Sequence, residues 1–281
     1  MDGSSGVGAF RPGLLAAVMF LHTAAAFGVL EIVSNGVNGN VVIWAVVLYV
    51  LSSVGITVGY HRYWTHRAFE CSRPVQWALA VLGAIALEGP IIKWYKDHHQ
   101  HHRFTDKPGD PHSPVVDGFW WAHMGWLFRD VTAPPGYRRA AFRDHDRVVV
   151  WQNRWYWVVA VGFGFMLPLA ATRDINAVWL AGFIRVVAHL HVTWAVNSVC
   201  HRWGSRARGR TGRVLPRRDA STDNWLVAVL GAGEGWHATH HADPNSYELG
   251  VRWWRYDLGR WVIDACAFFG HAWNRRRYEP V

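Results

Sequence analysis

Residues 41–60 read VVIWAVVLYVLSSVGITVGY, twenty positions without a formal charge. At about 1.5 Å of rise per residue, a helix of that length spans the ~30 Å hydrocarbon core of a bilayer. Inside hydrocarbon the backbone must satisfy its own N–H and C=O groups, so a run of this kind and length implies a helix. Residues 14–33 are nearly as apolar, interrupted by His22 and Glu31. Residues 155–171 and 177–196 form a second pair, with Arg185, His189 and His191 inside the last run. We read four spans in two hairpins. Residues 77–92 (WALAVLGAIALEGPII) are a fifth apolar stretch. It is short, carries Glu88 and ends in Gly89–Pro90, which suits an interfacial or protein-buried helix better than a crossing. Nineteen Trp in 281 residues fit this picture, because the amphipathic indole favours membrane–water interfaces.

The charge pattern orients the spans. The chain carries a formal +9, and of its 29 Lys and Arg thirteen lie in 61–154 and thirteen in 197–281. The connections at 34–40 and 172–176 hold only Arg173. With four spans both basic segments share one side, which the positive-inside rule makes cytoplasmic. Topology therefore accounts for the basicity without nucleic acid, and the remaining charge would help recruit anionic lipid headgroups or an acidic protein. The Arg-rich stretch 202–218 reads as a solvated cytoplasmic loop. Cys71, Cys200 and Cys266 are scattered, implying neither a disulfide framework nor a zinc ribbon. Only Arg11 is basic before residue 14, so the first run reads as an anchor helix rather than a cleaved signal. The order is a polar leader (1–13), a hairpin (14–60), a polar segment (61–154), a second hairpin (155–196) and a polar tail (197–281).

Nine of the seventeen histidines fall in clusters: His61 and His66 in HRYWTH, His98, His101 and His102 in HHQHH, His237, His240 and His241 in HATHH, and His201 four residues after Asn197. On a helix the pattern H-x-x-H-H spans about a 100° arc, so each such cluster can aim three imidazoles at one point. His61 and His66, five apart, lie about 140° around an α-helix and converge only if the helix breaks or grips an ion laterally. Asn197 and His201 share a face. Nine imidazoles exceed what one ion accepts and suit two, with positions left for water or oxygen; by donor type alone iron, copper, zinc and nickel all qualify. Ligating histidines need an acceptor on the other ring nitrogen, for which Asp97 and Glu234 are the candidates. For the clusters to meet, 77–92 must stay on one side of the membrane. The expected architecture is an all-α integral membrane protein with four transmembrane helices and a cytoplasmic helical cap holding the histidines.

These residues resemble the membrane fatty-acid desaturase family, nearest the Δ9-type acyl-CoA and acyl-lipid desaturases, from about Gly55 to His271. GYHRYWTHRAF looks like the first histidine box, DHHQHH with GDPHSP and GFWWAHMGWLF like the second region, TWAVNSVCHRWG like the Asn/His segment, and GEGWHATHH like the third box. The resemblance implies that the nine histidines hold two iron ions, that Asn197 acts through a water, and that the cis desaturation consumes O2. It further implies that Trp94, Thr193 and Trp194 line a bent acyl tunnel, with Lys96 near the substrate headgroup. No ligand role follows for His22, His99, His112, His123, His145, His189, His191 or His271. Ala238, Thr239 and the continuation ADPNSYELG depart from the usual third box and put regiospecificity and carrier in doubt. The carrier is expected to be coenzyme A, acyl carrier protein or a glycerolipid. The 281 residues hold no cytochrome b5-like segment, so a separate donor such as ferredoxin or a cytochrome b5-type protein is expected. The alternatives are a hydroxylase or acetylenase on the same centre. From a different class comes a His-rich metal transporter, which would place its ligands near the bilayer midplane.

Overall fold

The structure is a computed structural model that describes residues 7–131, 146–216 and 218–279. His145 and Arg217 lie outside the described residues.

Among the described residues, four helices are long and apolar enough to cross a membrane: α1 (Pro12–Asn35), α2 (Gly39–Thr65), α6 (Arg147–Thr172) and α7 (Val178–Ser198). Their ends follow local chemistry. Pro12 supplies the fixed φ of a first helical turn, and Gly36, at φ 77°, stops α1. Asn38 caps α2 through the Asn40 amide, and Asp146 caps α6 through the Val148 amide. Met19, Phe20, Leu30 and Val33 on α1, like Ile43 and Val46 on α2, face away from the rest of the protein. Only 17% of the apolar window of α1 is covered. An apolar surface of that size is what lipid, not water, covers. The chain is an all-α, multi-pass membrane fold.

The fifth apolar stretch forms α3 (Arg73–Ala84), twelve residues long, followed by a turn at 85–88 and then α4 (Ile91–Phe104). Helix α3 packs against the second half of α2 and against α6. The approach is close. A methyl group at Gly55 would overlap the backbone of Leu82–Gly83, and one at Gly83 would overlap the Tyr60 ring. Arg185, buried in α7, donates to Ile85 O at 2.5 Å, where α3 ends, and to Gly164 O of α6 at 3.3 Å.

Beyond the spans lie α5 (Phe119–His123), α8 (Trp225–Leu230), α9 (His237–Ala242) and α10 (Leu258–Phe268). Two short antiparallel ribbons pair β1 (Val7–Phe10) with β3 (Arg129–Val131) and β2 (Glu70–Cys71) with β4 (Ala272–Trp273). Buried ion pairs lock this cap to the spans. Arg62 donates to Asp257 Oδ1 at 2.7 Å and to Tyr247 O at 2.8 Å, and Asp257 also accepts the Leu249 and Gly250 amides. Arg255 holds Asp223, which in turn caps Thr239 of α9. Each buried charge is thus met by an opposite charge and further hydrogen bonds.

Candidate metal centre

From Gly55 to Thr65 the second half of α2 winds as a π-helix, closed by the His66 amide on His61 O at 3.0 Å. In that winding, at about 4.4 residues per turn, residues five apart lie roughly 50° apart, against about 140° in an α-helix. The His61 and His66 rings come to 4.9 Å as a result. The helix does not break; it changes pitch.

All nine clustered histidines converge at the junction of spans and cap, but as two groups. His61, His66, His98, His102 and His240 form one; His101, His201, His237 and His241 form the other. Within each group the ligand atoms lie within 4.8 Å of one another. Each H-x-x-H-H cluster is therefore divided between two points, not aimed at one. On α4 the i, i+4 pair His98 and His102 serves the first group and His101 the second. On α9 the pair His237 and His241 serves the second and His240 the first. The intervening residue lies far enough around the helix to reach the neighbouring point.

Seven Nε2–Nε2 contacts of 2.9–3.3 Å run within the groups. With metal–nitrogen bonds of about 2.0–2.1 Å, ligands at right angles stand ~3.0 Å apart, while tetrahedral ones stand ~3.4 Å apart. The spacing fits an octahedral-type donor set better than a tetrahedral one. Carboxylates occupy the opposite ring nitrogens. His101 Nδ1 meets Asp110 at 3.0 Å, His201 Nδ1 meets Asp106 at 3.0 Å, and His241 Nδ1 meets Asp219 at 2.9 Å. His61 Nδ1 lies 2.7 Å from Glu234, which also accepts from Thr57. A proton held at Nδ1 leaves a bare Nε2 lone pair, so bare lone pairs face one another at about 3 Å. A cation between them removes that repulsion.

The electrostatics agree. Burial first, and the crowding of imidazoles second, push His66, His98, His102, His237 and His240 well below the usual histidine range. His241 falls to about 4. Burial opposes ionisation of Asp110, Asp106 and Asp219, but their histidine partners and hydrogen bonds outweigh it and hold all three below the carboxylate range. These six imidazoles are held neutral, whereas His101 shifts up because Asp110 outweighs its burial; anions back the set, three of them facing the second group.

Other expected residues differ in placement. Asp97 does not face an imidazole; it pairs with Lys93 at 2.7 Å, one helical turn back, because its side chain leaves α4 on another side from the histidine nitrogens. Asn197 lines a small pocket shared with His98, His237 and Glu234. A cavity of about 720 Å³ runs from the spans to His98 and Asn197, walled by Trp94, Thr193 and Trp194 among largely apolar residues. Lys96 is exposed and absent from that wall; Lys93, three residues earlier, lines it. Sequence reasoning passed over Glu88 as a site residue. It accepts from Thr193 Oγ1 at 2.6 Å and Trp94 Nε1 at 3.0 Å and lies 3.2 Å from His189. Its signal was a carboxylate inside an apolar run. Asp106, Asp110 and Asp219 carried no comparable signal, although Asp110 stands in GDPHSP.

Comparison with known proteins gives the family. The fatty acid desaturase family model matches residues 38–277. A probable acyl-CoA desaturase of Schizosaccharomyces pombe is 34% identical over 91% of this chain, which spans about half (54%) of that relative. A Delta(9)-fatty-acid desaturase of Caenorhabditis elegans is 32% identical over 91% of the chain and 76% of the relative. A hex-5-enoyl-[acyl-carrier protein] acetylenase of Moorena producens is 31% identical over 81% and 74%. The chain belongs to the fatty acid desaturase family.

Proposed function

We propose that this protein is an O2-dependent fatty acyl desaturase that introduces a cis double bond, Δ9-type, into a carrier-linked chain, using two iron ions held by the nine histidines. The observation that carries the reading is the meeting of the apolar cavity with the first imidazole group, through His98, beside the second group. Imidazole donors at right-angle spacing suit iron, and the all-nitrogen set leaves positions open on each ion. Bound there, the two irons would supply activation of O2 with electrons from a separate donor, such as a ferredoxin or a cytochrome b5-type protein. The chain's own residues do the rest. His101, His201 and His241 keep Nε2 unprotonated because a carboxylate holds the proton at Nδ1. Trp94, stacked on His98 at 4.6 Å, and Thr193, anchored on Glu88, narrow the cavity beside the histidines and fix which carbons lie there. The apolar walls exclude water from the reacting methylenes. Lys93, which sits over Trp126 at 5.1 Å, is the cation at the cap end of the cavity and takes the headgroup role expected of Lys96. The metal site and both termini face the cytoplasm, where the basic segments lie.

A second reading has one supporting observation. The similarity to an acetylenase acting on an acyl-carrier-protein substrate allows the same centre to act on an existing alkene. One experiment separates them: metal analysis of detergent-purified protein and of His101→Ala, with acyl-chain profiling of expressing cells. About two irons per chain, and new alkenes that disappear in the variant, support the desaturase. Alkynes favour the acetylenase. Zinc, or no metal after growth in ample iron, with an unchanged acyl profile, overturns both.

A further inference from the structure

Three histidines outside the metal groups form a continuous chain. His22 of α1 meets His191 of α7, Nε2 to Nε2, at 3.0 Å. His191 Nδ1 meets His123 Nε2 of α5 at 3.0 Å, and His123 Nδ1 meets Ser198 Oγ at 2.9 Å. Both ends terminate on backbone carbonyls: His22 Nδ1 on Val18 O at 2.7 Å and Ser198 Oγ on Trp194 O at 3.0 Å. Five contacts therefore need five hydrogens. Three neutral imidazoles and one hydroxyl supply four. The chain is complete only with one extra proton, which makes one imidazole an imidazolium; without it one contact stands between two acceptors.

The three rings surround Trp194, the indole that walls the acyl cavity. His22 lies parallel to it (14°, centroids 6.3 Å apart), while His191 and His123 meet it edge-on at 5.1 and 5.9 Å. Trp194 is 4% exposed, so its position depends on these neighbours. A cation against an indole adds attraction that neutral imidazole lacks. Other charged groups on the surrounding elements are engaged elsewhere. Arg185 bonds carbonyls, His189 faces Glu88, Glu31 accepts from Asn35, Arg11 pairs with Asp130, Arg129 covers Phe10, and Arg202 covers Trp203. Among the described residues, none of the three histidines pairs with a carboxylate.

We propose that His22, His191, His123 and Ser198 are positioning residues: a hydrogen-bonded chain holding one exchangeable proton that fixes Trp194 and so sets the shape of the acyl cavity. Proton loss breaks one link and loosens the wall. The consequence for chain length rests on the desaturase reading; the geometry at Trp194 does not.

The test separates the two. Hydroxyl-radical footprinting with peptide mass spectrometry reads oxidation of Trp194 in the full-length protein at about pH 5 and about pH 8, the lower value set because burial and the neighbouring His191 push His123 below the usual histidine range. Wild type is expected to protect Trp194 at the lower pH and less so at the higher. His191→Leu is expected to expose it several-fold more at both, the scale of a buried side chain losing a hydrogen-bonded neighbour. His191→Gln keeps one donor and one acceptor in the chain but cannot take the extra proton, so it should protect Trp194 more than His191→Leu does, with the pH dependence then carried by His22 and His123. His123→Leu breaks the chain from the other side and should match His191→Leu. Expressing cells should shift the ratio of sixteen- to eighteen-carbon products in the Leu variants and not in His191→Gln. Equal oxidation of Trp194 in wild type and both Leu variants at both pH values overturns the proposal, whether or not the cells make unsaturated chains.

Discussion

Replacing Asp110 by Asn should weaken one metal position and spare the other. Both carboxylate oxygens are committed. Oδ1 accepts from His101 Nδ1 at 3.0 Å and the His112 amide at 3.1 Å, and Oδ2 accepts from the Asp106 amide at 2.9 Å and lies 3.1 Å from His101 Nδ1. An Asn side chain must point its NH2 at one of these donors in either flip, and Asp110 is only 1% exposed, so water cannot intervene. One buried donor loses its partner, at about 1–3 kcal/mol. The anion that makes His101 a stronger donor disappears as well. Loss of such a partner typically lowers metal affinity about 10–100-fold, or ~1.4–2.7 kcal/mol. The assay equilibrates purified protein against graded chelator and counts metal per chain. The expected curve for Asp110→Asn has two steps: one ion leaves at chelator levels about 10–100 times lower than in wild type, and the other leaves unchanged. Asp97→Asn is the control, since its half-exposed pairing with Lys93 is worth roughly 0–1 kcal/mol and reaches no imidazole. Simultaneous loss of both ions, or equal effects at Asp97 and Asp110, would refute the division of the histidines into two positions.

Glu88→Ala leaves Trp94 Nε1 and Thr193 Oγ1 without an acceptor, at about 1–3 kcal/mol each, and should move the double bond or broaden its position, read from product fragmentation in lipid extracts. Gly83→Ala forces a methyl group into the Tyr60 ring and should lower the thermal midpoint of the detergent-solubilised protein, while Gly13→Ala, with open space at its Cβ, should not. Acidification should destabilise the metal-free protein. His66, His98, His102, His237 and His240 lie below the unfolded value, and His241 falls to about 4. The unfolded chain therefore takes up protons first, and stability falls as pH drops from about 6.5 toward 4. A denaturation midpoint that rises over that window would show the sign to be wrong.

The four spans were legible because hydropathy is a local property, and a twenty-residue apolar run has few other uses. The histidines were legible as a set because nine in repeated spacing have little structural reason to exist. Their division was not, since spacing on α4 and α9 says which residues share an arc but not that two points lie beside it. His61 and His66 show the limit most clearly. Their five-residue separation looks divergent under α-helical pitch, and nothing in the local sequence marks the wider winding that brings them together. The carboxylates on His101, His201 and His241 come from turns, where nothing in the local sequence fixes direction. Asp97 was chosen for adjacency to His98, and adjacent residues on a helix point about 100° apart. Lys93 and Lys96, three residues and about 60° apart on α4, fall on either side of the cavity's edge, and it is Lys93 that lines it.

The histidine arrangement also bears on how the chain matures. His61, His66, His98 and His102 come from the first half of the chain, yet their group takes its fifth member, His240, from the second. His201, His237 and His241 belong to the second half and borrow His101 from the first. Each ion would therefore stitch the two halves together across some 140 residues, a closure whose entropic cost grows only slowly with length. During synthesis the nascent first half would gather four imidazoles of one group but finish neither position. Completion waits for the last histidine box to emerge and dock, which makes metal loading a late event and the ions clasps that seal an otherwise open bundle.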